Sequence, residues 1–291
     1  MPRAPTPIVP LAEAVERFVA DGSRVALEGF THLIPFAAGH EIIRQRKRDL
    51  TLVRMTPDLI YDQMIGTGCA NALVFSWGGN PGVGSLHRLR DAVEHGWPTP
   101  LRLHEHSHAE MANAYVAGAS GLPMAVLRSP AGADHAGKGA RLGTVTCPFT
   151  GEVLAAVPAI RVDTTILHAQ QADRRGNVQL WGISGVQKEA ALCAEKVVVT
   201  VEEIVDRLEP KPGGVVLPSW VVTAVAAVPR GATPSYAQGY YERDNAFYEA
   251  WDEVARDRQG FVDWMEKHVL GTRDFAGYLR SVAGGEAAAR G

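Results

Sequence analysis

The stretch Asp163-Thr-Thr-Ile-Leu-His-Ala-Gln-Gln-Ala-Asp-Arg-Arg-Gly-Asn177 runs from an apolar, β-branched segment straight into a polar turn closed by glycine. Thr164 to Ala169 has the composition of a central strand, and Ala172-Asp173-Arg174-Arg175-Gly176-Asn177 carries the turn chemistry that ends one. The combination reads as a strand end built to hold a ligand. Outward from it, strands and helices alternate. Upstream, Leu11, Val15, Phe18 and Val19 recur at helical spacing before a strand over 24–27. Strands are predicted over 50–55, 72–77, 101–105 and 124–127, with helices over 57–65, 85–95 and 107–119 between them. A glycine-rich loop over 130–143 and short strands around Thr144 and Val153 follow. Beyond the opening stretch come a helix over 186–194 and strands over 196–201 and 221–228. This order predicts an α/β fold with an open, mostly parallel sheet flanked by helices.

From Tyr240 the pattern changes. Phe247, Trp251 and Val254, then Phe261, Trp264 and Val269, then Phe275 and Leu279 repeat at helical spacing. The expected division is an α/β domain over 1–239 and a helical C-terminal tail over 240–291. The periodicity leaves open whether the tail's aromatics cover the body or a second subunit.

Composition removes several function classes. Of 291 residues 46% are apolar and 21% charged, and the net charge of −3 offers no broad field to nucleic acid or anionic lipid. Arg44, Arg46, Lys47 and Arg48 read as a solvated helix end. Cys69, Cys147 and Cys193 are odd in number and form no Cys-x-x-Cys pair, which fits a reducing, cytoplasmic setting. Cys147, beside Pro148, reads as a buried structural thiol. No apolar run approaches the roughly 18 residues that span a bilayer, so no membrane role is expected.

Three segments invite chemistry. Glu28-Gly29-Phe30-Thr31-His32-Leu33-Ile34-Pro35 follows the first strand and opens a helix, where free N–H groups collect; a tight strand-to-helix turn is the structural alternative. His104-Glu105-His106-Ser107-His108-Ala109-Glu110 places three histidines at alternate positions, a metal-like spacing. However, Ser107 and Glu110 form a capping box that puts His108 in the helix, and no metal site is expected. Glu105, at the strand terminus, is the candidate for positioning substrate or moving a proton, with a helix-end carboxylate as its structural alternative. The run Gly78-Gly79-Asn80-Pro81-Gly82-Val83-Gly84-Ser85 meets neither glycine-rich phosphate fingerprint.

The opening segment, with its apolar strand and Ala-Asp-x-x-Gly-Asn, resembles the signature of class I coenzyme A transferase α subunits. So do 117–123, 148–152, 197–205 and 231–235. In that family the first strand is followed by Gly-Gly-Phe-Gly-x-x-Gly-x-Pro, which binds coenzyme A and stabilises an oxyanion. This chain keeps Gly29, Phe30 and Pro35, and has Glu28, Thr31 and Leu33 where glycine or a small residue is frequent. The resemblance implies transfer of CoA from succinyl-CoA to a 3-oxo dicarboxylic acid through a glutamyl-CoA intermediate, with no tightly bound cofactor. It places the nucleophilic glutamate on a β subunit, in a heterodimer or heterotetramer. It gives Glu28, Gly29, Phe30, Thr31, His32 and Pro35 to coenzyme binding, and leaves Glu105 and Arg128 for the acceptor. Hydrolysis or decarboxylation of CoA esters, one chain of a glutaconate-type transferase, and a metabolite-binding regulator are the alternatives.

Overall fold

The computed structural model describes residues 6–80, 83–128 and 142–289. Leu11–Phe18 (α1) and Arg24–Glu28 (β1) open the chain. Three helix–strand pairs follow: Phe36–Arg44 (α2) with Leu50–Val53 (β2), Leu59–Gly66 (α3) with Ala70–Phe75 (β3), and His87–Glu94 (α4) with Arg102–Glu105 (β4). His108–Ala119 (α5) precedes Met124–Leu127 (β5), Gly143–Thr146 (β6) and Val153–Pro158 (β7). Val162–Asp173 (β8) turns back into Val178–Leu180 (β9), and Gln187–Leu192 (α6) leads to Ala194–Val205 (β10), Val215–Leu217 (β11) and Ala224–Ala227 (β12). Asn245–Arg256 (α7), Arg258–Met265 (α8), a π-helical turn over Glu266–Leu270 and Phe275–Ala289 (α9) close the chain.

Nine strands make the main sheet in the order β11-β9-β8-β1-β2-β3-β4, with β10 on the other edge of β8 and β12 beside β10. All its pairings are parallel except those of β9. The mostly parallel sheet is therefore as expected, and the near-continuous apolar run Val197-Val198-Val199-Thr200-Val201 reflects burial on both faces. From β1 the chain steps outward through β2, β3 and β4, then returns to lay β8 along the free edge of β1. The strand order thus reverses at β1, and in open α/β sheets the crevice at such a reversal is where ligands bind.

The opening stretch forms a strand of 12 residues, longer than the predicted core. Its polar turn closes a hairpin onto β9. Asp173 Oδ1 accepts from the N–H groups of Arg175 and Asn177, Oδ2 accepts from Asn177 Nδ2, and Gly176 sits at φ +84 with Thr6 where a Cβ would go. The signature's polar groups are consumed in shaping this turn. The three-residue strands β9 and β11 were not predicted, and the predicted strands β5, β6 and β7 lie apart from the main sheet in an antiparallel sheet of their own, β5-β7-β6.

Helices α2, α3 and α4 cover one face of the main sheet, and α5 and α6 the other. The aromatic tail joins the first of these layers: Trp251, Phe261, Met265, Val269, Phe275 and Tyr278 are buried in one cluster with Leu27, Leu52, Ile60 and Leu73. Arg44, expected at a solvated helix end, instead turns inward, pairs with Glu41 at 2.8 Å and donates to the Val269 carbonyl in the π-helical turn. The glycine run over 78–85, of which Pro81 and Gly82 lie outside the described residues, is also tied to the tail, since Asp252 Oδ1 accepts from Ser85 N–H and meets His87 Nε2. The predicted loop over 130–143 lies almost wholly outside the described residues.

Within this layer Asp62, wholly buried in α3, caps α4 from outside by accepting the N–H groups of Arg88 and Leu89 at 2.9 Å. Burial pushes its pKa up to about 7, against the pull of those N–H groups. Since the folded value exceeds the unfolded one, Asp62 supports the fold fully at low pH and progressively less as pH rises to 7. The linkage slope is about 1.4 kcal/mol per pH step. The stability difference between Asp62→Asn and the parent should therefore move in favour of asparagine between pH 4.5 and 7 and level off above it. Denaturant titrations at four pH values test this, and a pH-independent difference counts against it.

Candidate active site

β1 ends at Glu28, and the chain folds back on itself through 29–35 before α2 begins. Thr31 and Leu33 take left-handed φ values of 58° and 52°, conformations that cost a side-chain-bearing residue roughly 1 kcal/mol or more each. The departures from glycine at these two positions therefore carry strain, and two neighbouring segments, 235–238 and the chain at Ile183, hold it in place. Leu33 N–H donates to the Tyr236 carbonyl at 2.9 Å, and Ser235 Oγ donates to the Thr31 carbonyl at 2.8 Å. His32 is wholly buried; its Nδ1–H donates to the Ile183 carbonyl at 3.2 Å and its Nε2 accepts from Gln238 N–H at 3.0 Å. Burial pushes its pKa down to about 4, so the ring is a neutral cross-link near pH 7.

Below the loop sits a buried ion cluster. Arg54, 1% exposed, donates through Nη2 to the Gly29 carbonyl at 2.7 Å and through Nη1 to Asp58 at 2.8 Å, with the Tyr61 ring 5.4 Å away. Glu28 points into the same interior, where its Oε1 accepts from Met55 N–H at 2.9 Å and from Tyr115 OH at 2.7 Å. Burial pushes its carboxyl up, opposed by the nearby Arg54 charge and these hydrogen bonds. Of the six residues first assigned to coenzyme binding, the structure places Glu28, Gly29, His32 and Pro35 inside, and only Phe30 and Thr31 reach the surface in part.

The segment 230–241 that straps this loop is itself anchored by a polar network between β8 and β10. Glu202 accepts from Arg230 N–H at 2.6 Å and from Tyr241 OH at 2.6 Å, and meets His168 Nε2 at 2.6 Å. Thr200 Oγ1 donates to the Leu167 carbonyl, which leaves its oxygen to accept from His168 Nδ1 at 2.8 Å. The His168 ring thus bridges Thr200 and Glu202 across the two strands. Burial pushes the Glu202 carboxyl up, but His168, Tyr241 and the Arg230 N–H outweigh it and hold it below the usual range. Behind the strand ends, Gln187 Nε2 lies 3.4 Å from the Glu28 carbonyl and 3.5 Å from that of His168, spanning the crevice between β1 and β8.

The loop therefore presents its backbone at the switch point. Among the described residues, no acceptor takes the N–H of Phe30 or Thr31. Two adjacent open donors on a rigid, strapped loop suit an oxyanion.

Residues 9–227 match the sequence profile described as Coenzyme A transferase, three quarters of the chain. The chain belongs to the coenzyme A transferase family. This transferase is 63% identical, over 96% of its own length and 99% of the relative's, to one of the subunits of 3-oxoadipate CoA-transferase of Pseudomonas knackmussii. Its fold matches the crystal structure of glutaconate coenzyme A-transferase from Acidaminococcus fermentans with TM-score 0.86 and 29% identity, covering 94% of this chain and 92% of that one. It also matches the decarboxylase AibA/AibB with TM-score 0.77 and 28% identity, covering 91% and 100%.

The remaining candidates of this coenzyme A transferase lie apart from the loop. Glu105 ends β4, exposed, three strand spacings or about 14 Å from β1. Arg128 follows β5 on the small antiparallel sheet and forms a two-pronged ion pair with Glu152, at 2.9 Å for both Nε and Nη2. Ser107 and Glu110 form the expected capping box, and His108 is the first residue of α5. Cys147 is not buried. It sits in the turn between β6 and β7, where Thr150 and the Phe149 and Thr150 N–H groups hold its thiol below the ordinary range. Arg54, Asp58, His168, Glu202 and Gln187 were missed as site supports. An available signal was the opposite charges of Arg54 and Asp58, four apart just after a strand.

Proposed function

We propose that this chain is the α subunit of a two-subunit CoA-transferase that moves CoA from succinyl-CoA to 3-oxoadipate. The observation that carries the reading is the 63% identity, nearly end to end, with a protein named as one subunit of a 3-oxoadipate CoA-transferase. The nucleophile is a glutamate of the β subunit. Its carboxylate attacks the succinyl thioester carbonyl and expels CoA thiolate, leaving a mixed anhydride. The thiolate then attacks the glutamyl carbonyl and releases succinate, giving glutamyl-CoA. The acceptor carboxylate repeats the sequence in reverse to take the coenzyme. Each addition forms a tetrahedral oxyanion, which the Phe30 and Thr31 N–H groups are placed to receive at the β1–β8 crevice. The structure supports this role through their open donors and the strapped geometry behind them. Glu105 and Arg128 are assigned to the acceptor side, where Arg128 would exchange Glu152 for a substrate carboxylate.

The test is succinyl-CoA consumption with 3-oxoadipate, using the chain alone and then with a candidate β subunit. Formation of 3-oxoadipyl-CoA only in the mixture, without free CoA, is expected. Turnover by this chain alone, or release of free CoA, defeats the proposal. In the assembled enzyme, Glu105→Gln should lower the KM for dianionic 3-oxoadipate several-fold, on the order of one like-charge contact removed, while kcat changes little; equal KM values would remove Glu105 from the acceptor site. The likeness to AibA/AibB favours a second reading, decarboxylation of an acyl-CoA, which carbon dioxide release in the same assay would reveal.

A further inference from the structure

The sheet face under α5 is only partly covered. Helix α5 packs over Ala26, Val53 and Val74, and the chain at 158–160 comes down beside it, with Ile160 N–H bonded to the Ala114 carbonyl. Toward the start of the strands this cover ends, leaving a groove of about 260 Å³ lined by Arg24, Thr51, Ala72, Arg102, His104 and His106 among others. Strand register explains its form. Arg24 of β1 pairs with Thr51 of β2, Thr51 with Ala72 of β3, and Ala72 with Arg102 of β4. These four residues occupy one row and share one face of the sheet. Two arginines thus stand at its ends, about 14 Å apart between backbones, with two small residues as the floor between them. His104 lies two residues further along the same face, level with Val74, and His106 two beyond that.

We propose that this groove is a binding site for a small polyvalent oxyanion, carrying phosphate or carboxylate groups, distinct from the β1–β8 crevice. Among the described residues, four cationic or ionisable nitrogen-bearing side chains line it and no carboxylate does. Asp163 accepts the backbone N–H of Arg24 at 2.7 Å. Neither arginine has a carboxylate partner among the described residues. Arg102 Nη2 reaches only the neutral Asn71 Oδ1, at 3.4 Å. Guanidinium forks at the two ends of the trough match planar or tetrahedral oxyanions, and Thr51 adds a hydroxyl in the row between them. The volume falls below the roughly 300 Å³ at which drug-sized ligands begin to fit. It suits a compact anion such as a diphosphate or a short dicarboxylate.

Inorganic pyrophosphate and succinate serve as separate probes. Calorimetric titration of the full chain by itself, against sodium chloride of matched ionic strength, reads binding without turnover and without the partner that completes the crevice, so the result does not depend on the substrate assignment. One-to-one binding of at least one probe, weakened tenfold or more by Arg24→Gln and by Arg102→Gln and lost in the double variant, is expected. Binding of pyrophosphate alone or of succinate alone upholds the site and identifies the source chemistry. Binding no tighter than chloride, or retained in the double variant, overturns it. Amide shifts in the parent protein give a check that needs no variant: perturbation must centre on Thr51, Ala72 and His104, and a perturbation centred elsewhere also overturns the site.

Discussion

Replacing Arg54 with alanine is expected to lower stability by about 3–5 kcal/mol, the cost of breaking one side of a buried ion pair. The side chain is 1% exposed and its partners cannot turn to water: Asp58 is 3% and Glu28 2% exposed. Removing the cation leaves the Gly29 carbonyl without its 2.7 Å donor, takes from Glu28 the charge that opposes its burial, and leaves Asp58 with only Arg243 in place of two cations. The loss should grow with pH. Burial already raises the Glu28 carboxyl, and withdrawing Arg54 raises it further, so the variant takes up protons in the folded state and is least impaired in acid. Denaturant melts at pH 5 and pH 8 measure both effects. A loss below about 1 kcal/mol at pH 8 would mean that the cluster contributes little to the fold.

The second large effect falls on activity. Gly29→Ala puts a Cβ 2.8 Å from the Leu33 carbonyl oxygen, 2.9 Å from that of His32 and 2.9 Å from Ile34 Cα. All three are backbone atoms, so no side chain can swing away. Arg54 fixes the near end of the loop and Tyr236 and Ser235 the far end. The strain must therefore open the turn, displacing the Phe30 and Thr31 donors. A displacement of about 1 Å at such a site costs on the order of a hundredfold in rate. We expect kcat/KM of the assembled enzyme to fall by that factor or more, with assembly retained. Gly78→Ala is the matched control, since its new Cβ meets only side-chain atoms at 3.9 Å or beyond. Equal activities for the two variants would remove the 29–35 loop from the reaction.

The strands were legible in the chain because they are buried on both faces: runs such as Val197 to Val201 leave little choice of structure. The capping box at Ser107 and Glu110 was equally readable, being local chemistry. Partnership across long distances was not. That the tail's Trp251 and Phe261 would settle against Ile60 and Leu73 depends on shape rather than on helical period. The same limit explains Glu28, which was assigned to ligand binding from its place after a strand. Its direction is set by Tyr115, 87 residues away, and by Met55, and no neighbour in sequence reports it. Thr31 and Leu33 looked like departures from a glycine pattern; the structure shows both in left-handed backbone, held there from 230–241.

The placement of β8 sets a timetable for synthesis. Val25 pairs with Thr164, 139 positions later in the chain. At about 5–20 residues per second, β1 emerges from the ribosome roughly 7–28 s before the strand that will cover its edge. Until then Val25, Ala26 and Leu27 offer bare N–H and carbonyl groups along an apolar ribbon, the template on which unrelated nascent chains pair. A truncated chain ending before Val162 would keep that edge permanently and should precipitate, whereas the full-length chain seals it as soon as β8 docks.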